Sequence, residues 1–237
     1  MPLDGGAIAE VVRVGDTVRR STGPWTPAVH AVLRHLKAVG CDLAPRVLGI
    51  DERGREILTY LPGTTIYAHH LDLLELDETL VRAGTFVAEL HAALPRQTDG
   101  TLCLHGDLGP WNVLVDGDRW FAIDWDSTHL GAPAWEVAYC LHTFCGLWAD
   151  RALAPAEAVH RMRAFAAGYG FDDDELATAM GLVPERLLEA ARFVRQRAGE
   201  GVPGFVRLVA EGHDAMWRTN AEHAAARLPA WLDAVTS

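Results

Sequence analysis

The stretch Leu104–Asp126 (LHGDLGPWNVLVDGDRWFAIDWD) constrains this chain more than any other. Val113, Leu114 and Val115 make a short apolar run that reads as a buried strand. Asp116-Gly117-Asp118 reads as a tight turn, because Asp and Gly tolerate the backbone angles a turn demands. Trp120–Ile123 reads as the returning strand. Such a hairpin brings Asp124 back beside Asn112, while Asp107 sits on the loop entering the first strand. Two oxygen ligands and a separate carboxylate are what magnesium-dependent phosphoryl transfer needs. The hard cation takes carboxylate and amide oxygens and shares the rest of its sphere with phosphates and water. The remaining carboxylate can accept a proton from an attacking hydroxyl.

The order His105-Gly106-Asp107, Asn112, Asp124 resembles the catalytic loop and metal-binding Asp of the aminoglycoside phosphotransferase family, a small-molecule branch of the protein-kinase-like fold. The Asp-to-Asn spacing matches the kinase H-R-D-x-x-x-x-N. Gly106 stands where kinases have Arg, and Asp124-Trp125-Asp126 where they have Asp-Phe-Gly, both as in the phosphotransferase branch. The resemblance implies Asp107 as catalytic base and Asn112 and Asp124 as Mg2+ ligands; Asp126 reads as a supporting acid or a further metal contact, support being preferred because two ligands are already assigned. The resemblance also implies an α+β protein of two-lobed, protein-kinase-like fold. A small β-rich N-terminal lobe, residues 1–62, binds nucleotide. A larger helical C-terminal lobe, residues 63–237, carries the catalytic loop (105–126) and the substrate pocket.

The first residues fit that expectation. Val11–Val14, Gly15-Asp16 and Thr17–Arg20 read as a hairpin with a two-residue turn. Val29, Val32, Leu33, Leu36 and Val39 recur at helical spacing ahead of Gly40. A second hairpin spans Arg46–Ile50, a turn at Asp51–Gly54, and Glu56–Tyr60. Leu61-Pro62-Gly63 then breaks the pattern as a hinge. In the resembled family the adenine meets the backbone here, at Thr59, Tyr60 and Leu61.

Three departures follow. The strand lysine that pairs with phosphates in this fold has no counterpart, since Lys37, the only lysine, lies on the expected helix. Arg20, or Arg19, is the candidate; Arg20 is preferred because it shares a strand face with Val18, and a guanidinium can hold phosphate through its planar fork. The helix that should supply the partner glutamate has none, and His30 falls near its place. No G-x-G-x-x-G loop occurs, and Gly5-Gly6 is a weak stand-in.

Beyond Gly63 the chain reads as helical. Leu71–Leu76 is a short apolar and acidic segment. Leu80, Ala83, Val87 and Leu90 stripe a helix over Thr79–Leu94, stopped by Pro95. His91 and His105 read as packed, hydrogen-bonded residues, with His105 bracing the catalytic loop. Ala134–Leu147 reads as a buried helix carrying Glu136 at a position where the family commonly has an acid. Pro155–Gly168, an acidic cap at Asp172–Glu175, Pro184–Ala198, Val206–Trp217 and a last run to Val235 complete the chain.

The net charge of −11 argues against nucleic acid as partner. Residues 66–150 hold 13 acids and 3 bases, so the acidity surrounds the expected site and favours a neutral or cationic hydroxylated acceptor. No apolar run approaches the ~20 residues of a membrane span. The N-terminus shows no leader pattern, and the four cysteines lack CxxC spacing. These features suit reduced thiols in a cytoplasmic protein. Two functional readings stand. One is transfer of the γ-phosphoryl of ATP (or GTP) to a small-molecule hydroxyl. The other is a catalytically weak or inactive kinase-like protein that binds nucleotide or metabolite, favoured by the missing Lys–Glu pair.

Overall fold

The computed structural model describes residues 11–151 and 153–236, so the Gly5-Gly6 pair lies outside the described residues. Strands β1 (Val12–Val14) and β2 (Thr17–Arg20) turn at Gly15, whose φ of +59° a Cβ would oppose. Helix α1 (Thr26–Ala38) follows with Pro27 in its first turn, where the missing N–H is not needed. Val29, Val32, Leu33 and Leu36 are all buried along one face. Val39 was expected on that stripe but falls past the helix end and is 54% exposed.

Strands β3 (Val47–Ile50) and β4 (Glu56–Thr59) form the second hairpin. Its turn is tied by the Asp51 carboxylate, which accepts the Arg53 and Arg55 amides at 2.9 and 3.0 Å. The four strands make one antiparallel sheet in the order β1-β2-β4-β3. Its register sets Arg20 opposite Glu56 and Val18 opposite Leu58. Leu58 and Glu56 alternate onto the same buried face.

After Gly63 the chain forms a short strand β5 (Thr64–Thr65), a turn of helix α2 (Ile66–His69) and, past a 3-10 segment at Leu71–Glu75, helix α3 (Asp77–Ala93). Leu80, Ala83, Val87 and Leu90 are fully buried, as the stripe required. Strand β6 (Leu102–Leu104) leads into the catalytic loop. Strands β7 (Val113–Asp116) and β8 (Arg119–Ala122) are the expected hairpin, turning at Gly117 (φ +61°). Strand β9 (His129–Gly131) returns to pair with β6. Sequence reading missed β5, β6 and β9, which are two or three residues long and show no period. Gly63 explains how β5 reaches β7: at φ +104° it lies so near Val115 that a Cβ would sit 2.3 Å from the Val115 carbonyl oxygen.

The rest is helical: α4 (Pro133–Phe144), α5 (Pro155–Tyr169), α6 (Asp173–Gly199), α7 (Pro203–Ala210) and α8 (His213–Val235). Two expectations are corrected. The acidic cap and the Pro184 helix belong to one helix, α6, which passes through Gly181 and Pro184. An internal Pro costs ~3 kcal/mol. Burial of Leu176, Met180, Val183 and Leu187 along one face, at ~1.5–3 kcal/mol each, outweighs it. The last break falls at Glu211-Gly212 instead of after Trp217, with Gly212 at φ +83°. The acidic cap itself is a capping box: the Glu175 amide donates to Asp172 at 2.9 Å, and the Asp172 amide to Glu175 at 3.0 Å.

The chain divides into two compact units, Met1–His69 with Leu90–Ala132, and His70–Glu89 with Pro133–Ser237. The sheet β1-β2-β4-β3, α1 and the catalytic hairpin all lie in the first. In the second, α6 packs along α8 and α4. There α3 and α5 meet backbone to backbone through Gly84 and Gly168, where a Cβ would sit 2.0 Å from Phe165 O and 1.9 Å from Val81 O. The architecture is a small antiparallel sheet with a larger helical part. Among the described residues no helix is long and apolar enough to cross a membrane. All four cysteines are free thiols, Cys140 and Cys145 buried, Cys41 and Cys103 partly so.

Candidate active site

The catalytic loop is braced by His105, which is fully buried. Its Nδ1 accepts the Asp107 amide at 3.3 Å, so its Nε2 carries the proton and donates to the Ile123 carbonyl at 2.8 Å. The ring rests on Trp125, centroids 4.6 Å apart. One imidazole thus fixes Asp107 against the residue preceding Asp124. Gly106 has φ +86°, and a Cβ there would lie 2.1 Å from the Ser127 carbonyl oxygen. The Arg of the kinase motif would not fit, which gives a physical reason for Gly106.

The Asp107 carboxylate accepts from two side chains. Asn112 donates Nδ2 to Asp107 Oδ2 and to the Asp107 carbonyl, both at 2.9 Å. Trp111 donates Nε1 to both carboxylate oxygens at 3.3 Å. The indole is seated by Gly109, where a Cβ would meet the ring at 2.5 Å. Tyr67 stands edge-on to it, centroids 6.2 Å apart. Sequence reading passed over Trp111, although its place between Asp107 and Asn112 was a usable signal. With its amide nitrogen on Asp107, Asn112 presents its carbonyl oxygen as the acceptor end. Its backbone carbonyl takes the Ile123 amide at 2.9 Å, which ties the strand before Asp124 to Asn112.

Asp124 has φ +62° and ψ +67°, and among the described residues it is the one non-glycine with positive φ. Such a conformation costs of order 1–3 kcal/mol and persists only when the surroundings impose it. It aims the carboxylate at Arg20, whose Nη1 lies 2.9 Å from Asp124 Oδ1. Arg20 Nη2 pairs with Asp126, and Arg20 Nε pairs with Glu56. Burial alone would lower the Arg20 pKa; Asp126, Asp124 and Glu56 overcome that and raise it. Burial pushes the Asp126 carboxyl up to about 6, with Asp124 and Glu56 adding to the rise and Arg20 opposing it. Arg19, the alternative, bonds to Thr17 at 2.6 Å and lies 3.8 Å from Asp51, away from the acids.

Glu56 is the buried partner of Arg20 that sequence reading missed. It is 1% exposed, holds Arg20 through Oε1, and takes His30 Nε2 of α1 on Oε2 at 2.9 Å. The usable signal was strand alternation in phase with Leu58, which buries a charge that then needs a partner. Of the residues expected at the nucleotide base, Thr59 and Tyr60 donate their amides to Arg46 O and Asp16 O at 3.0 and 2.9 Å. Arg13 covers the Tyr60 ring at 3.6 Å. Glu136 is buried in the first turn of α4.

The residues present fit a divalent cation. Three carboxylates, Glu56, Asp124 and Asp126, face the single guanidinium of Arg20, and Asn112 adds an amide oxygen. Among the described residues no group of three His, Cys, Asp or Glu side chains could hold a metal by itself. A shell of one or two protein oxygens completed by phosphates and water is the usual magnesium arrangement.

The phosphotransferase enzyme family model matches residues 1–102 and 92–178. The chain belongs to the phosphotransferase enzyme family. It is similar to a trifolitoxin immunity protein of Rhizobium leguminosarum bv. trifolii, 33% identical over 144 residues, which are 52% of this chain and 54% of that protein. The chain thus spans about half the length of this curated relative. A choline/ethanolamine kinase family protein from Mesorhizobium loti superposes with a TM-score of 0.65 at 19% identity, over 99% of this chain and 91% of that one. An amicoumacin kinase in complex with AMP-PNP, Ca2+ and Ami superposes with a TM-score of 0.60 at 12% identity, over 92% and 88%. At these identities the two structures share a fold with this phosphotransferase family member, the protein-kinase-like one.

Proposed function

We propose that this phosphotransferase moves the γ-phosphoryl of ATP (or GTP) to a hydroxyl group of a small molecule. The observation that carries the reading is a connected path of hydrogen bonds and one peptide link. It runs from Asp107 through Asn112 to the Ile123 amide, one residue before Asp124, and Asp124 bonds in turn to Arg20. It joins a proton acceptor, two oxygen donors and a phosphate-seeking cation.

Asp107 accepts the proton of the acceptor hydroxyl, its carboxylate held by Trp111 and Asn112. Asn112 Oδ1 and Asp124 would hold Mg2+, which when bound neutralises developing charge on the phosphates. Arg20 supplies N–H donors to phosphate oxygens. The nucleotide base meets the stretch Thr59–Leu61. With the Thr59 and Tyr60 amides already donated, Leu61 and the carbonyls of the stretch are what it reads. Catalysis then comes from positioning and charge neutralisation. The relatives support a small-molecule acceptor, since their names include a choline/ethanolamine kinase family protein and an amicoumacin kinase.

The alternative, a nucleotide- or metabolite-binding protein with little turnover, was favoured by the missing Lys–Glu pair. On the proposed reading the Arg20–Glu56 ion pair takes that role, which favours turnover over binding alone. The test is a screen for ATP and GTP consumption across hydroxylated small molecules, with and without magnesium and with Asp107→Ala as control. Acceptor-dependent consumption that needs magnesium and Asp107 supports the proposal. Nucleotide binding with no acceptor-dependent consumption across the screen overturns it in favour of the binding protein.

A further inference from the structure

We infer that Glu56 and His30 are positioning residues for Arg20. With Arg20 they form a three-residue relay, running from helix to strand to strand, in place of the helix glutamate and strand lysine of the kinase-like arrangement. This rests on the phosphotransferase reading above and deepens it. Arg20 on β2 and Glu56 on β4 are register partners, so the sheet itself sets them side by side. Glu56 uses Oε1 for Arg20 Nε and Oε2 for His30 Nε2, at 2.9 Å, on the buried face of α1. All three side chains are at least nine-tenths buried.

The division of the guanidinium matters most. Glu56 grips Nε, at the base of the fork, whereas Nη1 and Nη2 point to Asp124 and Asp126. A planar group held at Nε cannot swing about its last bond without losing that contact. The two Nη groups can therefore exchange carboxylate oxygens for phosphate oxygens while the anchor stays in place. His30 acts one step further back. It holds the second Glu56 oxygen, which otherwise would be a buried acceptor without a donor. The helix carboxylate is not simply lost here: it has moved onto the neighbouring strand, and the helix contributes the donor that orients it.

Two readouts on the full-length protein test this. The first is the Arg20 Nε–H resonance in the nucleotide-free protein, identified by its loss in Arg20→Lys. It should be present in the wild type, lost or broadened in Glu56→Gln and His30→Leu, and recovered in His30→Gln, whose amide can still donate. The second is calorimetric affinity for Mg·AMP-PNP and for adenosine. Glu56→Gln should weaken the triphosphate about tenfold or more and adenosine by no more than about twofold, the scale of one charge-assisted hydrogen bond. His30→Leu should lose less, and His30→Gln should restore it. His30→Leu keeps Glu56 in place, so the pair remains informative if Glu56→Gln does not fold. Folded variants that lose triphosphate and adenosine affinity equally, or lose neither, overturn the relay and leave the phosphotransferase reading standing. A folded wild type that binds neither ligand overturns both.

Discussion

His142 provides a stability test that is independent of catalysis. It lies in α4, fully buried, with Trp148 edge-on at 4.5 Å and Trp217 at 6.0 Å between ring centroids. Among the described residues neither ring nitrogen has a hydrogen-bond partner. Burial pushes its pKa down from 6.5 to about 3, and nearby His223 adds to the fall. The unfolded chain takes up the proton first. The contribution of neutral His142 is therefore complete above pH 6.5 and is lost progressively as pH falls toward 3. Each unit in that window is worth about 1.4 kcal/mol, so moving from pH 7 to pH 5 should remove about 2 kcal/mol through His142. His223 is lowered too, by burial and by Arg227, and acts in the same direction. His142→Phe keeps a ring in the aromatic cluster and removes the proton. Urea unfolding of both proteins at pH 7 and pH 5 isolates the effect, because titrating groups that do not interact with His142 cancel in the difference. The wild type should lose about 2 kcal/mol more than His142→Phe. Equal losses in the two proteins would refute the argument.

Asp107→Ala should fold and lower phosphoryl transfer by about two to four orders of magnitude, the usual scale of general-base catalysis; wild-type turnover in the folded variant would remove Asp107 from the mechanism. Asn112→Ala and Asp124→Ala should each weaken nucleotide binding in the presence of magnesium and leave the magnesium-free affinity nearly unchanged. Calorimetry with and without the cation checks this, and an intact magnesium dependence in both would end the ligand assignment. Gly106→Ala should destabilise by about 1–3 kcal/mol from its φ alone, with further loss from the approach to Ser127 O, read by urea unfolding. A stability matching the wild type would show that the loop can shift away from Ser127. If the acids of residues 66–150 attract a cationic acceptor, kcat/KM should fall as ionic strength rises through ~0.1 M, where the Debye length is about 10 Å. An anionic best acceptor, or salt-independent kinetics with a cationic one, would detach the acidic segment from substrate choice.

What the sequence made legible follows from the range of the interactions involved. The hairpin β7–β8, the α3 stripe and the α6 capping box are local, with periods and turns readable within a window of residues. The continuity of α6 through Pro184 was not, because it depends on what α4 and α8 offer its buried face. The site divides along the same line. Asp107, Asn112 and Asp124 lie within one short stretch, and their spacing alone drew attention to them. The Arg20–Glu56 pair spans 36 positions and exists only because two hairpins, separated by α1, align in one register. Position in the chain pointed to His30 as a failed glutamate. In the fold it is a donor to a glutamate that arrives from strand β4. An Arg20–Glu56 ion pair does form, on residues and elements other than those where the Lys–Glu pair was expected. If the proposed relay is right, the absence of the Lys–Glu pair from the expected positions does not count against phosphate binding.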